Sequence, residues 1–207
     1  HTGQTGRAGA YDELVDATGR VRPAWRSLAE AVGERGLAGL DRLRADVRGL
    51  VDNDGITYIP VDDKAKADRY GTAPGVWHLD AMPLVVSAAD WEVLESGLVQ
   101  RSRLLDAVLT DLYGPRRSIT GGVLPPELVF AHPGYIRAAR GITVPGRHQL
   151  FMHGCDVSRV ADGSFAVNAD WTQAPSGAGY ALADRRVVAH TIPDIYECIA
   201  PRATSPF

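Results

Sequence analysis

Two runs of alternating apolar and polar residues near the C-terminal end constrain the fold of this sequence more than any other feature. They occupy residues 150–160 and 164–172. The residues between them include Asp162 and Gly163, and an Asp-Gly pair between two such runs predicts a β-hairpin. The chain then passes through a loop of small residues, and a helical pattern follows over residues 180–186. The sequence therefore predicts a hairpin, a loop and a helix in succession.

The small-residue loop is a candidate ligand site, and its members are Pro175, Ser176, Gly177 and Gly179. Free backbone N–H groups and the helix dipole converge where such a loop enters a helix, which favours an anion or a carboxylate. A simpler interpretation is that Ser176 caps the helix and the glycines serve only the turn. Both interpretations remain open from the sequence.

Residues 87–114 carry the clearest helical pattern. Ser87 is the predicted N-cap, with Asp90 three residues later, and Gly114 and Pro115 end the helix. A second helical region covers residues 22–51, where Gly33 and Gly36 predict an interruption that divides it into a helical pair. A helix and a sheet each have one apolar face that needs a partner. We therefore expect an α+β fold, with a mainly antiparallel sheet that contains the hairpin and is covered by the helix from Ser87.

Other segments carry weaker patterns. Residues 1–10 are rich in Gly and Thr and are predicted to be flexible. Residues 56–59 are a short strand candidate, and residues 77–86 are expected to be extended. Residues 62–74 form a charged loop that contains Lys64 and Lys66, which we interpret as solvated surface rather than a phosphate site.

Composition excludes several classes of protein. The 207 residues are 45% hydrophobic, which is enough for a real core, and the formal net charge is −3. No segment concentrates Lys or Arg, so neither a nucleic acid nor a membrane surface is expected as a partner. Two cysteines are too few for a disulfide framework. Without a signal-peptide pattern or a long apolar run, we expect a cytoplasmic protein.

Several separated motifs resemble one known family. They occur in the order Tyr11-Asp12-Glu13-Leu14, Asp111-Leu112-Tyr113-Gly114, Pro133-Gly134-Tyr135 and Ala174-Pro175-Ser176-Gly177. With the hairpin, loop and helix, they resemble the N-terminal part of circularly permuted ATP-grasp proteins of the type 2 group, from about Tyr11 onward. The resemblance implies a fold whose active members use ATP and Mg²⁺ to join a carboxylate to an amine. It also implies a later lobe, which we expect outside these residues.

The resemblance implies three metal ligands, of which this sequence has one. In ATP-grasp proteins an acid on one strand and a Glu-x-Asn on the next hold Mg²⁺. Asp156 matches the first acid, but Ala169 and Trp171 occupy the positions of the Glu and the Asn. Asp170 is no substitute, because alternation along a strand should point its carboxylate to the opposite face. The chain thus resembles the inactive members of the group, and we expect neither tight Mg²⁺-ATP binding nor hydrolysis.

The individual residues of the hairpin also have simpler interpretations. Asp156 could be a remnant that only satisfies backbone donors, and Trp171 is expected to be a packed aromatic rather than a platform for adenine. His153 and Cys155 share one strand face, and with His190 and Cys198 they raise the idea of zinc. We disfavour zinc because the spacing of structural zinc sites is absent. Cys155 matches no nucleophile motif, so a buried thiol is the default.

Three classes of function follow. The first is a non-catalytic ATP-grasp-like module of a peptide synthesis or modification system, since inactive relatives are often joined to alpha-E domains. The second is an active ATP-dependent carboxylate–amine ligase whose metal is held outside the hairpin or by the later lobe. The third is a small-molecule binding protein that uses the loop alone. No substrate is identified by the sequence.

We also expect a partner for apolar surface near the C-terminus. Apolar side chains repeat there at helical spacing, at Ile192, Ile195, Tyr196 and Ile199. The expected partner is the missing ATP-grasp lobe, an alpha-E-type domain or a second copy of the chain. The alternative is that this stripe folds back onto the chain's own core.

Overall fold

The computed structural model describes residues 11–58, 75–142 and 144–204. These residues fall into two units. Of the described residues, Tyr11 and those within 87–175 form the hairpin unit, and those within 12–86 and 176–204 form the helical unit. The predictions for residues 1–10 and 62–74, including Lys64 and Lys66, lie outside the described residues.

The fold is α+β, as predicted. In chain order, the helices are α1 (Arg26–Asn53), α2 (Ala88–Tyr113), α3 (Arg117–Thr120), α4 (Pro126–Phe130), α5 (Ala178–Thr191) and α6 (Pro193–Ile199). The strands are β1 (Thr57–Tyr58), β2 (Gly75–Val76), β3 (Gly154–Arg159) and β4 (Phe165–Trp171). They form two antiparallel pairs, β1 with β2 and β3 with β4.

The helical unit is built around one apolar core, to which α1, α5 and α6 all contribute. Its buried members are Leu28, Leu43, Val47, Val51, Ala81, Val187, Val188, Ile192 and Ile195. The predicted helical pair is present, but the break lies at Gly36 alone, where φ is 61° and ψ is −175°. Gly33 stays helical. A positive φ is accessible to glycine without a Cβ clash, so Gly36 absorbs the change of direction.

The apolar stripe near the C-terminus belongs to this core. Ile192 is 1% exposed and Ile195 is 5% exposed, while Tyr196 and Ile199 pack against the same cluster. The stripe therefore folds back onto its own unit, which was the alternative interpretation, and the prediction of a docking surface at these four residues is wrong. The apolar side chains of α6 pack against the core of their own unit.

Residues 77–86 form no strand, although an extended segment was predicted. Trp77 donates its indole N–H to Asp184 at 2.8 Å and stacks on Tyr180 with 4.4 Å between the ring centroids. Further on, the Asp80 carboxylate accepts from the backbone N–H of Met82 at 3.0 Å. The Trp77 backbone N–H also donates to the Ile56 carbonyl oxygen at 3.4 Å, which continues the pairing of β1 with β2 by one bond before side-chain anchoring and this local turn take over.

The hairpin unit starts with the predicted helix. The Ser87 hydroxyl accepts from the Asp90 backbone N–H at 3.1 Å, and the helix ends before Gly114. Strand β3 starts at Gly154 rather than near residue 150, because the Asp106 carboxylate accepts from the N–H groups of Gln149 and Leu150 at 2.7 and 2.8 Å. Those two groups are then not available for a ladder.

The pairing of β3 with β4 sets the positions of the candidate site residues. Gly154 lies opposite Trp171, Cys155 opposite Asp170 and Asp156 opposite Ala169. A bulge follows, since Val157 pairs with Val167 and the residue between Val167 and Ala169 is extra. The turn closes at Gly163, whose φ of 88° suits glycine.

The hairpin unit has much less buried apolar surface than the helical unit. None of its described residues is fully buried. Large apolar side chains are exposed instead, among them Val93 (68%), Leu104 (62%), Val123 (76%), Leu128 (68%), Ile136 (61%) and Phe151 (96%). Apolar surface on this scale is typical of a region that contacts another protein segment.

No helix within the described ranges is both long enough and apolar enough to span a bilayer.

Candidate functional site

The β3–β4 hairpin presents different chemistry on its two faces. Side chains alternate across a strand, so the pairs Gly154–Trp171 and Asp156–Ala169 share one face and the pair Cys155–Asp170 lies on the other. The predicted orientation of Asp170, away from Ala169 and Trp171, is confirmed by its contact with Arg101 on α2.

On the first face, Asp156 is paired with an indole. The Trp171 Nε1–H donates to Asp156 Oδ2 at 3.0 Å, and the methyl group of Ala169 lies on the strand opposite Asp156. Trp171 is 54% exposed, so the expectation of a packed aromatic is wrong. The antiparallel register places the indole diagonally beside the carboxylate, which provides a partner for the N–H without burial.

These three residues do not fit a Mg²⁺ ion. Magnesium requires near-octahedral oxygen coordination. Asp156 offers one carboxylate, and neither a methyl group nor an indole N–H can supply a further oxygen. Asp156 therefore lacks the Glu and Asn ligands that the family pattern places beside it.

On the opposite face, three potential ligand atoms converge in what we call the Cys155 cluster, made of His153, Cys155 and Asp170. His153 Nε2 lies 3.0 Å from Asp170 Oδ1 and 3.3 Å from Cys155 Sγ, and Cys155 Sγ lies 3.5 Å from Asp170 Oδ1. These three atoms lie within 4.8 Å of one another. The cluster is the one group of metal-ligand type found among the described residues.

Helix α2 holds the cluster from the other side. Arg101 donates from Nε to Asp170 Oδ1 at 2.6 Å and from a terminal nitrogen to Oδ2 at 2.5 Å, which is a bidentate pair. Ser102 Oγ lies 2.7 Å from His153 Nδ1. His190 and Cys198, which were considered with this group, lie on α5 and α6 of the helical unit.

Electrostatics sets the protonation of the cluster. The hydrogen bonds from Arg101 hold the pKa of Asp170 well below its usual range, so the carboxylate is ionised at neutral pH. Burial raises the pKa of the Cys155 thiol, and its hydrogen bond to Asp170 raises it further. A thiol that stays protonated is a poor nucleophile, consistent with the default interpretation of Cys155.

The small-residue loop is solvent-exposed along most of its length. Ser176, Gly177 and Gly179 are exposed, and Pro175 is half-buried against Gly154. Gly177, with φ of 105°, is the N-cap of α5, and no side chain caps this helix. The interpretation of Ser176 as the cap is therefore wrong: a left-handed glycine makes the entry into the helix instead. Ligand binding by this loop stays a prediction.

A second cluster in the hairpin unit was not anticipated from the sequence. A surface cavity of about 280 Å³ is lined by Arg116, Phe130, Tyr135, Arg137 and Arg140. Arg116 donates to the Tyr135 hydroxyl at 2.7 Å, and its guanidinium lies 5.0 Å from the centre of the Phe130 ring. Three guanidinium groups beside two aromatic rings favour an anionic ligand.

Comparison with known proteins agrees with the three later motifs, while the first, at Tyr11–Leu14, lies outside the matched residues. Residues 83–207 match the family described as a circularly permuted ATP-grasp. That description names no subgroup, so the type 2 group and its inactive branch remain predictions.

Individual relatives are much longer than this chain. An uncharacterized protein of Mycobacterium tuberculosis is 67% identical over 98% of this chain and 23% of its own length. An uncharacterized Synechocystis protein is 31% identical over 91% of this chain and 38% of its own length. A Frankia alni protein named "Putative glutamate--cysteine ligase 2-3" is 35% identical over 89% of this chain and 20% of its own length. The chain thus spans about a quarter of the first of these relatives.

Proposed function

Because the chain belongs to the circularly permuted ATP-grasp family, we propose that it is a non-catalytic module of a ligase-like protein. In this role it would frame a reaction site without itself holding the catalytic metal. The likeness to the Frankia protein supports a ligase-like origin. A peptide synthesis or modification system in the cytoplasm is the setting that we propose for it.

The observation that carries this proposal is the contact between Asp156 and Trp171. Phosphoryl transfer depends mainly on electrostatic stabilisation of the phosphate charge, which metal ions provide. At the family's metal position this chain offers one carboxylate, a methyl group and an indole N–H that donates to that carboxylate at 3.0 Å. Such a face cannot compensate the charge of ATP with a bound metal.

We further propose that chain outside these residues covers the hairpin unit. The unit exposes Phe151 at 96% and Val123 at 76%, and apolar area left in water costs about 25 cal/mol per Å². The chain spans 23% of the length of the M. tuberculosis relative. The occupant that we favour is the later ATP-grasp lobe of a longer protein; an alpha-E-type domain or a second copy of this chain are the alternative outcomes of a binding test.

Calorimetric titration with Mg²⁺-ATP tests the non-catalytic role. We expect no micromolar binding by the 207-residue chain. A variant that restores the family ligands, Ala169→Glu with Trp171→Asn, should gain measurable binding of Mg²⁺ or Mn²⁺. Asn168→Glu is the matched control, because it adds the same charge at the exposed bulge without completing the ligand set.

Two results would favour the active-ligase alternative instead. One is micromolar Mg²⁺-ATP binding by the unaltered chain that Asp156→Ala abolishes. The other is ATP turnover by a longer protein containing this chain that disappears with the same substitution. Either result would mean that Asp156 binds the metal with ligands from elsewhere.

The cavity lined by Arg116, Arg137 and Arg140 favours a second function, the binding of a small anion. Titration with inorganic phosphate and with free glutamate separates a phosphate site from a carboxylate site. An Arg137→Ala, Arg140→Ala double variant should weaken binding of the preferred ion. The exposed Arg44, which pairs with Asp41 at 3.1 Å on α1, provides the control substitution.

A further inference from the structure

We propose that His153, Cys155 and Asp170 form a Zn²⁺ site on the α2 side of the hairpin. This face is opposite to the one that carries Asp156, so the proposal does not depend on the fate of the family's Mg²⁺ site. The sequence alone gave little reason to expect it, because the spacing of structural zinc sites is absent. The third ligand, Asp170, comes from the neighbouring strand.

The distances between the three ligand atoms are close to those around a tetrahedral zinc ion. Bond lengths of about 2.3 Å to sulfur and about 2.0–2.1 Å to nitrogen and oxygen place neighbouring ligand atoms about 3.3–3.6 Å apart. The observed separations are 3.3 Å for sulfur to nitrogen, 3.0 Å for nitrogen to oxygen and 3.5 Å for sulfur to oxygen. Shifts of a few tenths of an ångström would bring all three atoms into bonding distance of one ion.

The hydrogen bonds of Ser102 favour the histidine tautomer that a metal needs. The Ser102 hydroxyl lies 2.8 Å from the Leu98 carbonyl oxygen, to which it can donate its single proton. With the proton there, the Ser102 oxygen accepts from His153 Nδ1–H across 2.7 Å, and a neutral ring then turns the lone pair of Nε2 toward Asp170 and Cys155. A lone pair that faces a carboxylate needs a cation or a second ring proton between them. A metal-bound histidine that donates its other N–H to a neighbour is the usual arrangement.

Arg101 fixes the third ligand. It binds both oxygens of Asp170, as the outer hydrogen bonds of metal-binding carboxylates commonly do. The formal charges then sum to +1, from the ion (+2), the arginine (+1), the thiolate (−1) and the carboxylate (−1). A thiolate and an imidazole select zinc over magnesium or calcium.

Binding requires one proton to leave. The Cys155 thiol loses its S–H proton to solvent as the zinc–sulfur bond forms, and no oxidant or reductant is involved. The His153 side chain is 5% exposed and that of Asp170 is 21% exposed, so the ion would enter from the side of Asp170. Three protein ligands leave a fourth position for water, as in zinc sites that carry an open coordination position.

Titration of the metal-free chain with Zn²⁺ and with Co²⁺ tests the site. We expect one ion per chain, a thiolate-to-cobalt charge-transfer band and a melting temperature that rises with Zn²⁺ concentration. Cys155→Ser and His153→Gln should each weaken binding at least tenfold. The matched controls are Cys198→Ser, an exposed cysteine, and His148→Gln, an exposed histidine, and both should leave binding unchanged.

The following results would contradict a zinc site at His153, Cys155 and Asp170. Absence of the charge-transfer band in the unaltered chain would exclude a thiolate ligand, whatever the variants do. Binding that survives Cys155→Ser, or that falls equally in Cys198→Ser, would assign the ion to another place. Far-ultraviolet circular dichroism of each variant is the control that distinguishes weaker binding by a folded chain from unfolding.

Discussion

Truncation of Ile195 measures whether the C-terminal stripe serves the core or a partner. Ile195 is 5% exposed and lies in the cluster formed by α1, α5 and α6. Ile195→Ala removes three carbon atoms, worth about 2.4 kcal/mol at about 0.8 kcal/mol for each buried carbon group. The cavity left behind adds to this, so the free energy of unfolding should fall by about 2–5 kcal/mol.

Leu37→Ala is the matched control. Leu37 lies on α1 in the same unit and is 83% exposed, so its truncation should change the free energy of unfolding by less than about 0.5 kcal/mol. Urea denaturation followed by tryptophan fluorescence compares the two variants. Trp25 and Trp77 pack against the core of the helical unit and report its unfolding.

A docking role for the stripe would give a different pattern. Ile195→Ala would then leave the denaturation midpoint unchanged and would dissociate an oligomer in sedimentation at micromolar concentration. A loss below about 1 kcal/mol, or an equal loss for Leu37→Ala, would refute the assignment of Ile195 to an internal core.

Three further predictions follow from local geometry. Ala200→Gly should raise the free energy of unfolding by about 0.5–1 kcal/mol, because Ala200 ends α6 with φ of 46°, and the same change at Ala131, where φ is −86°, should not stabilise. Ser87→Ala should lower it by about 0.5–2 kcal/mol through loss of the α2 cap, measured by thermal denaturation against Ser96→Ala. Because the pKa of Asp170 is lowered in the folded chain, the ionised carboxylate contributes fully to the free energy of unfolding above the usual pKa of an aspartate. This contribution is lost as the pH falls below about 4. Asp170→Asn should therefore show a shallower loss of stability in acid titration than the unaltered chain.

Features set by local chemistry were predictable from the sequence. The Ser87 cap, the end of α2 at Gly114 and the hairpin turn at Gly163 depend on residues within a few positions of one another. The side to which Asp170 points was also predictable, because strand alternation has a period of two residues. These predictions used neighbours along the chain, and the structure confirms them.

Features set by distant partners were not predictable. Arg101 reaches Asp170 across 69 positions in the sequence, and Ser102 reaches His153 across 51. From the sequence, Trp171 was expected to be a packed aromatic. Its hydrogen-bond partner, the exposed Asp156, lies 15 positions away on the other strand and could not be identified from neighbouring residues. Helical spacing from Leu98 to Ser102 could have placed Ser102 on the packed face of α2, but nothing local identified its partner.

The folding stability of the hairpin face that carries Asp156, Ala169 and Trp171 can be measured separately from its metal binding. Trp171 is 54% exposed, Asp156 is exposed and Ala169 is half-buried, so neither Ala169→Glu nor Trp171→Asn changes a fully buried side chain. The new Glu would stand opposite Asp156, and like charges directly opposite on paired strands cost about 0.2–1 kcal/mol. Without metal, the double variant should therefore unfold within about 1 kcal/mol of the unaltered chain. Added Mg²⁺ or Mn²⁺ should relieve the repulsion and raise the melting temperature of the double variant, and should leave that of Asn168→Glu unchanged. A double variant that fails to fold would show that Ala169 and Trp171 support the hairpin itself. A double variant that folds but gains no stability from either ion would show that these two substitutions do not restore a metal site.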